Sequence, residues 1–187
     1  MLRWFGLLLL LALLGAGAYA WRSATLPYHP LRQAAGSSAQ ADAKVAQLQQ
    51  AVDQANAQHK PVPFSQTFTD AELTRLANEN LGSGSVFSSV TIHANQGGYM
   101  EGAGIAHLAG QNLPLYVRAA ILVSGDRVSV DVREARLGTL AAPGPLATQI
   151  SAAVQNSIPT QNLPSLTGLS VVVSDGSITI SGTAQPG

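Results

Sequence analysis

His29, His59, His93 and His107, ten singly spread carboxylates and the stretch Gly82-Ser83-Gly84-Ser85 are the groups from which a catalytic or metal site in this chain would have to be built. A metal needs imidazoles at a spacing that brings them to one face, as in H-x-x-x-H, and these four histidines have no such spacing. The carboxylates form no close pair of the kind that cleaves glycosidic bonds. The serines lack the G-x-S-x-G elbow, and Gly97-Gly98 with Gly102-x-Gly104 lacks the Lys-Ser/Thr of a phosphate-binding loop. With Cys 0, thiol catalysis, thiolate metal sites and disulfides are excluded together. The chain therefore reads as a non-enzyme, with no metal and no cofactor.

The chemistry its side chains do favour is enclosure of hydrocarbon. Val90, Ile92, Leu115, Val117, Ile121 and Val130 on strands, with Ile150 and Val154 on a helix, are the candidates for an apolar wall. Residues of this modest size, in a chain with only 5% aromatics, leave room for a long guest without hydrogen-bonding demands, such as an acyl chain. Arg118, Arg133 and Arg136 are the candidates for its headgroup, because guanidinium forks match phosphate geometry. The other reading of the same apolar face is an ordinary filled core.

The elements that must position these residues are legible from periodicity. Trp4 to Trp21 is an uninterrupted apolar run between Arg3 and Arg22. At about 18 residues it reaches the lower end of what a membrane span requires, which makes residues 1–22 a signal anchor. Ala18-Tyr19-Ala20 offers the alternative of a cleaved signal peptide and a secreted protein. Either way the remainder lies outside the cytoplasm, as one domain. A net charge of +0 with 11% charged residues gives no footprint for nucleic acid.

Residues 23–40 read as a linker, and 41–187 as a single domain. Ala41, Val45, Leu48, Val52, Ala55 and His59 form a narrow helical seam over 41–59. After Pro61 and Pro63 comes a short strand, Phe64 to Phe68. Thr69-Asp70-Ala71-Glu72 is then a capping box that opens a second helix carrying Leu73, Leu76, Ala77 and Leu81, and Gly82 to Ser85 ends it in a turn. Val86 to Leu137 reads as a four-stranded antiparallel meander. Pairing Ser124 with Arg127 sets Val123, Ile121 and Ala119 opposite Val128, Val130 and Val132. It also sets Arg118 opposite Arg133, with Asp131 and Glu101 as neutralisers, unless a bulge turns Ala135 and Leu137 inward in place of Glu134 and Arg136. Pro143 and Pro145 start a helix with the stripe Leu146, Ile150, Ala153, Val154 and Ile158, and a polar loop follows between Pro159 and Pro164. Leu169 to Ser181 closes the chain as a hairpin on Asp175-Gly176, with Val173 opposite Ile178 and Val171 opposite Ile180.

The expected fold is α+β: a curved antiparallel β-meander plus a C-terminal hairpin packed on amphipathic helices, after the N-terminal transmembrane or signal helix. The order of these elements, with Arg136-Leu137-Gly138-Thr139-Leu140 running into Pro143, resembles the LmeA-type phospholipid-binding proteins and the YpmS-type membrane-anchored proteins of bacterial envelopes across Val62 to Gly182. That resemblance implies a lipid-binding cup over 62–182, related in style to tubular lipid-binding domains. It supplies no diagnostic polar residue, and the Ala/Gln helix at 41–59 departs from it. The function expected is that of a membrane-tethered extracytoplasmic lipid-binding protein. The alternative is a non-catalytic structural or assembly subunit that docks a protein partner of the envelope through the 41–59 helix or a sheet edge.

Overall fold

The computed structural model describes residues 22–28, 31, 36–81, 87–108, 110–125, 127–142, 144–156 and 166–187. The apolar run up to Trp21, the Gly82–Ser85 turn and the Pro159–Pro164 loop lie outside the described residues. Among the described residues, no helix is long and apolar enough to cross a membrane. After a helical turn at 22–25 the order is α1 (Ala41–Gln58), β1 (Val62–Thr69), α2 (Asp70–Asn80), β2 (Phe87–Asn95), β3 (Tyr99–Leu108), β4 (Gln111–Ser124), β5 (Arg127–Leu137), β6 (Leu140–Ala141), α3 (Gly144–Asn156), β7 (Leu166–Ser174) and β8 (Ser177–Ala184). The fold is α+β, with two antiparallel sheets: β2-β3-β4-β5-β6 and β1-β8-β7.

The five-stranded sheet is the expected meander, and β4 and β5 pair in the expected register from Ser124↔Arg127 through Ala119↔Val132. Beyond that point the bulge alternative is realised. Arg133 is the extra residue, so Arg118 faces Glu134 rather than Arg133, while Val117 faces Ala135 and Leu115 faces Leu137. The physical reason is that a regular ladder would turn Glu134 and Arg136 toward the apolar side, and burying charge costs far more than one irregular pair.

The C-terminal hairpin also pairs as expected, Val173↔Ile178 and Val171↔Ile180. The strand before α2 does not join the meander. It pairs along its whole length with β8, from Val62↔Ala184 to Thr69↔Ser177, and so makes a second sheet. The inner face of the meander is therefore shared between two covers. Ile150 of α3 is buried with Ala106, Leu115, Val117 and Leu137. Val123 and Val128 pack instead against Ala51 and Ala55 of α1 with Leu166, Leu169 and Ala184 of the smaller sheet.

Helix α1 packs on its own domain along a stripe that keeps Ala41, Leu48, Val52 and Ala55 of the expected seam and drops Val45 and His59. Val45 is exposed, and His59 is a left-handed C-cap outside the helix. The buried positions are Ala41, Ala51 and Ala55, and the stripe that joins them runs through Lys44. Lys44 Nζ reaches the Glu72 carboxylate at 2.6 Å and the Thr67 carbonyl at 2.6 Å, so its orientation fixes the rotation of the helix. A search for apolar repeats passes over a lysine that points inward.

Helix α2 opens on the expected capping box, with both reciprocal bonds between Thr69 and Glu72 formed. Its polar face serves a second purpose. Asn78 accepts the Val90 N–H at 3.0 Å and donates to the Val90 carbonyl at 2.6 Å. Thr74 accepts the Ile92 N–H at 2.9 Å, and Asp70 accepts the Ala94 N–H at 2.9 Å. Four helical residues rise about 6 Å and two strand residues about 6.7 Å, so side chains at i, i+4 and i+8 can serve alternate residues of a strand edge. The helix thereby saturates the open edge of β2, which would otherwise invite another strand.

Candidate functional site

Alternation along the meander places Thr91 and His93 of β2, Tyr99, Glu101, Ala103 and Ile105 of β3, Pro114, Tyr116 and Arg118 of β4, and Glu134 and Arg136 of β5 on the face opposite α3. One half of this outer face is an ionic array. The Tyr116 hydroxyl donates to Glu101 at 2.6 Å, and Asn95 donates to the other Glu101 oxygen at 3.1 Å. Burial first, and then the bond to Glu101, push the Tyr116 phenol well above its ordinary value. It therefore stays protonated at neutral pH as a hydrogen-bond donor to Glu101.

The other half is a cleft of about 310 Å³. Its floor is Thr91, Ala103, Ile105, Pro114 and Tyr116, and its far wall is Pro27, Tyr28 and Leu31 from the segment read as a linker. Two local features make the hollow. Ala103 presents only a methyl group where its neighbours are large. In β2, the ladder shifts between Ser88 and Thr91, with Ser89 at φ 54, so Ser89 turns out of the strand to become part of the rim. Gly104 lets β2 cross closely: a Cβ there would lie 3.2 Å from the Ser88 carbonyl.

Ser23, Pro27, Tyr28 and Leu31 are consequently held on the domain and not in a free tether. The Ser23 carbonyl accepts from the Thr139 N–H at 2.8 Å and from its hydroxyl at 3.0 Å. Tyr28 stacks edge-on against Tyr116, centroids 5.2 Å apart, and the Arg136 guanidinium sits 4.1 Å from its ring centroid. Such contacts are worth about 1 kcal/mol each when shielded from solvent. Nothing in the composition of 23–40 announces this; Tyr28, in a chain with Tyr 4, is the one signal that could have done so.

The eight expected wall residues are brought together only in part. Val90, Ile92, Leu115, Val117, Ile121 and Val130 share the inner face; Leu115, Val117 and Ile150 are buried in its core, while the other four are half-buried. The Val154 side chain lies outside the described ones. Leu115 alone of the eight also borders the outer cleft. All three arginines carry carboxylate partners: Arg118 meets Glu134 at 3.5 Å, Arg133 meets Asp131 at 2.7 Å and Arg136 meets Glu134 at 2.5 Å. Among the described residues, no group of three histidine or carboxylate side chains could hold a metal ion.

No family model, no curated protein and no solved structure matches the chain.

Proposed function

We propose that the protein is a membrane-tethered extracytoplasmic lipid-binding module that takes an acyl chain in the outer cleft. The observation that carries this reading is the cleft itself, aliphatic along Leu31, Ala103, Ile105 and Pro114, with hydroxyl-bearing residues Ser89, Thr91 and Tyr28 also in its lining. Its 310 Å³ lies at the low end for small-molecule sites and holds roughly ten heavy atoms at about 30 Å³ each. That suits one chain, or part of one, and not a whole phospholipid. Support also comes from the apolar run that precedes the cleft wall in the sequence, and from the resemblance to envelope phospholipid-binding proteins. Arg118 and Arg136, beside Tyr116 on the same face, place guanidinium groups where a headgroup would emerge, in exchange for Glu134. A docking role for α1 in an assembly has less behind it, because its inner stripe is already consumed by its own domain.

The test is lipid extraction from the purified full chain, followed by titration with a fluorescent fatty acid. Ala103→Phe, which fills the cleft floor, is expected to weaken binding at least tenfold and leave the melting temperature within a few degrees. Recovery of no lipid, with a melting temperature indifferent to added phospholipid, would remove the proposal.

A further inference from the structure

The turn between β5 and β6 is built to receive another stretch of backbone. Gly138 is buried, adopts φ 56, and donates its N–H to the Pro114 carbonyl at 2.6 Å. A Cβ at this position would collide with the carbonyl oxygens of Ser23 and Ala24. The next residue, Thr139, holds the Ser23 carbonyl with both its N–H and its hydroxyl. Glycine is thus required twice, for its left-handed backbone and for the close approach of a second chain segment. The apolar run of the sequence ends at Trp21, so only Arg22 separates it from a residue already clamped to the domain.

We propose that the Leu137-Gly138-Thr139-Leu140 turn is a clamp that holds this end of the domain directly against the lipid surface. The proposal rests on the membrane placement of the apolar run given under the proposed function. The occupant is the bilayer, and the side chains around the clamp suit it. Leu26 is 48% and Leu140 37% exposed, and Ala141, which follows Leu140 in the chain, is exposed as well, so these side chains are free to enter the bilayer surface. Arg22, also exposed, adds a cation at the level of anionic headgroups. An 18-residue flexible linker would let the domain tumble; a clamp at Ser23 fixes its orientation. The cleft-wall residues Pro27, Tyr28 and Leu31 follow within a few residues of the clamp, so the cleft lies near the same surface.

Because the chain has Cys 0, single cysteines report cleanly. Leu26→Cys, Leu140→Cys and, as a control, Ser124→Cys would carry an environment-sensitive fluorophore in the full chain, reconstituted into phosphatidylcholine–phosphatidylglycerol vesicles containing nitroxide-labelled lipid. Ser124 is nine residues along β4 from Leu115, the partner of Leu137, so it lies about 30 Å from the clamp. Quenching at 26 and 140 is expected to exceed that at 124 by at least threefold. Gly138→Ala, or the milder Thr139→Val, in the Leu140→Cys background is expected to reduce that excess. Equal quenching at 140 and 124 in vesicle-bound protein would overturn the clamp alone. Failure of the protein to float with the vesicles would overturn both the clamp and the membrane placement. Strong quenching at 140 without lipid in the cleft would sustain the clamp and remove the acyl-chain reading.

Discussion

Lys44→Met is expected to lower the unfolding free energy at pH 7 by about 3 kcal/mol, measured by urea unfolding followed by far-ultraviolet circular dichroism. Glu72 is buried, its side chain 2% exposed, and Lys44 is its only ionic partner among the described residues. The substitution strands that carboxylate, removes the bond to the Thr67 carbonyl, and lifts the ammonium from its place 5.8 Å from the Phe68 ring centroid. Lys44 retains 18% exposure, which sets the expected loss at the lower end of the range for breaking a buried pair.

The pH dependence gives a second reading of the same contact. Burial alone would push the Glu72 carboxyl up; the Lys44 ammonium and the Thr69 N–H outweigh it and hold the carboxyl below the ordinary glutamate range. A carboxyl depressed in the folded state contributes stability that is complete above its unfolded value of about 4.3 and is lost as pH falls through the folded value. In Lys44→Met the ammonium is gone and only the Thr69 bonds oppose burial, so the carboxyl lies higher than in the wild type. The stability difference between the two proteins is therefore expected to shrink as pH falls through the variant's carboxyl value and on toward the lower wild-type value. A difference independent of pH would show that the loss comes from packing and not from the ion pair.

Asp70→Ala is expected to cost a similar amount, about 3 kcal/mol, through a different set of bonds. Asp70 is the first residue of α2 and is 2% exposed. Its carboxylate accepts the N–H of Ala94, itself 0% exposed, and lies 2.6 Å from His93 Nδ1. Its own N–H donates to the Gly176 carbonyl, and the Gly176 N–H donates to the Ala94 carbonyl. This ring of bonds joins α2, the β2 edge and the β7–β8 turn. Alanine leaves the Ala94 N–H buried with no acceptor, at about 1–3 kcal/mol, and removes a carboxylate from a helix N-terminus. Asp70→Asn keeps the acceptor and is expected to lose roughly half as much. Hydrogen exchange at Ala94 and Gly176 should accelerate in the alanine variant well before exchange at Val117. Uniform acceleration across all strands would mean that the ring is no distinct joint between the sheets.

Much of the architecture was legible before any coordinates. The Thr69–Glu72 capping box, the Asp175-Gly176 hairpin and the β4–β5 register from Ser124 and Arg127 are all present as read. Each depends on residues close together in the chain, where turn chemistry and the two-residue alternation of a strand leave few alternatives. The bulge at Arg133 was legible as one of two options, because the charges of Glu134 and Arg136 conflict with an unbroken alternation.

The cleft was not legible, and the reason is in how it is made. Its floor comes from β2, β3 and β4, but its wall is Tyr28 and Leu31, from a segment whose composition is that of a loop. Tyr28 acquires a role only when Tyr116 and Arg136 have been brought beside it by a sheet formed a hundred residues later. In the same way β1 becomes a strand of the smaller sheet only when β8, at the other end of the chain, supplies its partner. By itself the sequence determined local matters: which segments are strands and helices, how they are capped and turned, and which face of each is dry. Tertiary structure decided which dry faces are filled, which face keeps a hollow, and where the N-terminal segment is clamped, because these depend on contacts between distant residues that carry no periodic signal of their own.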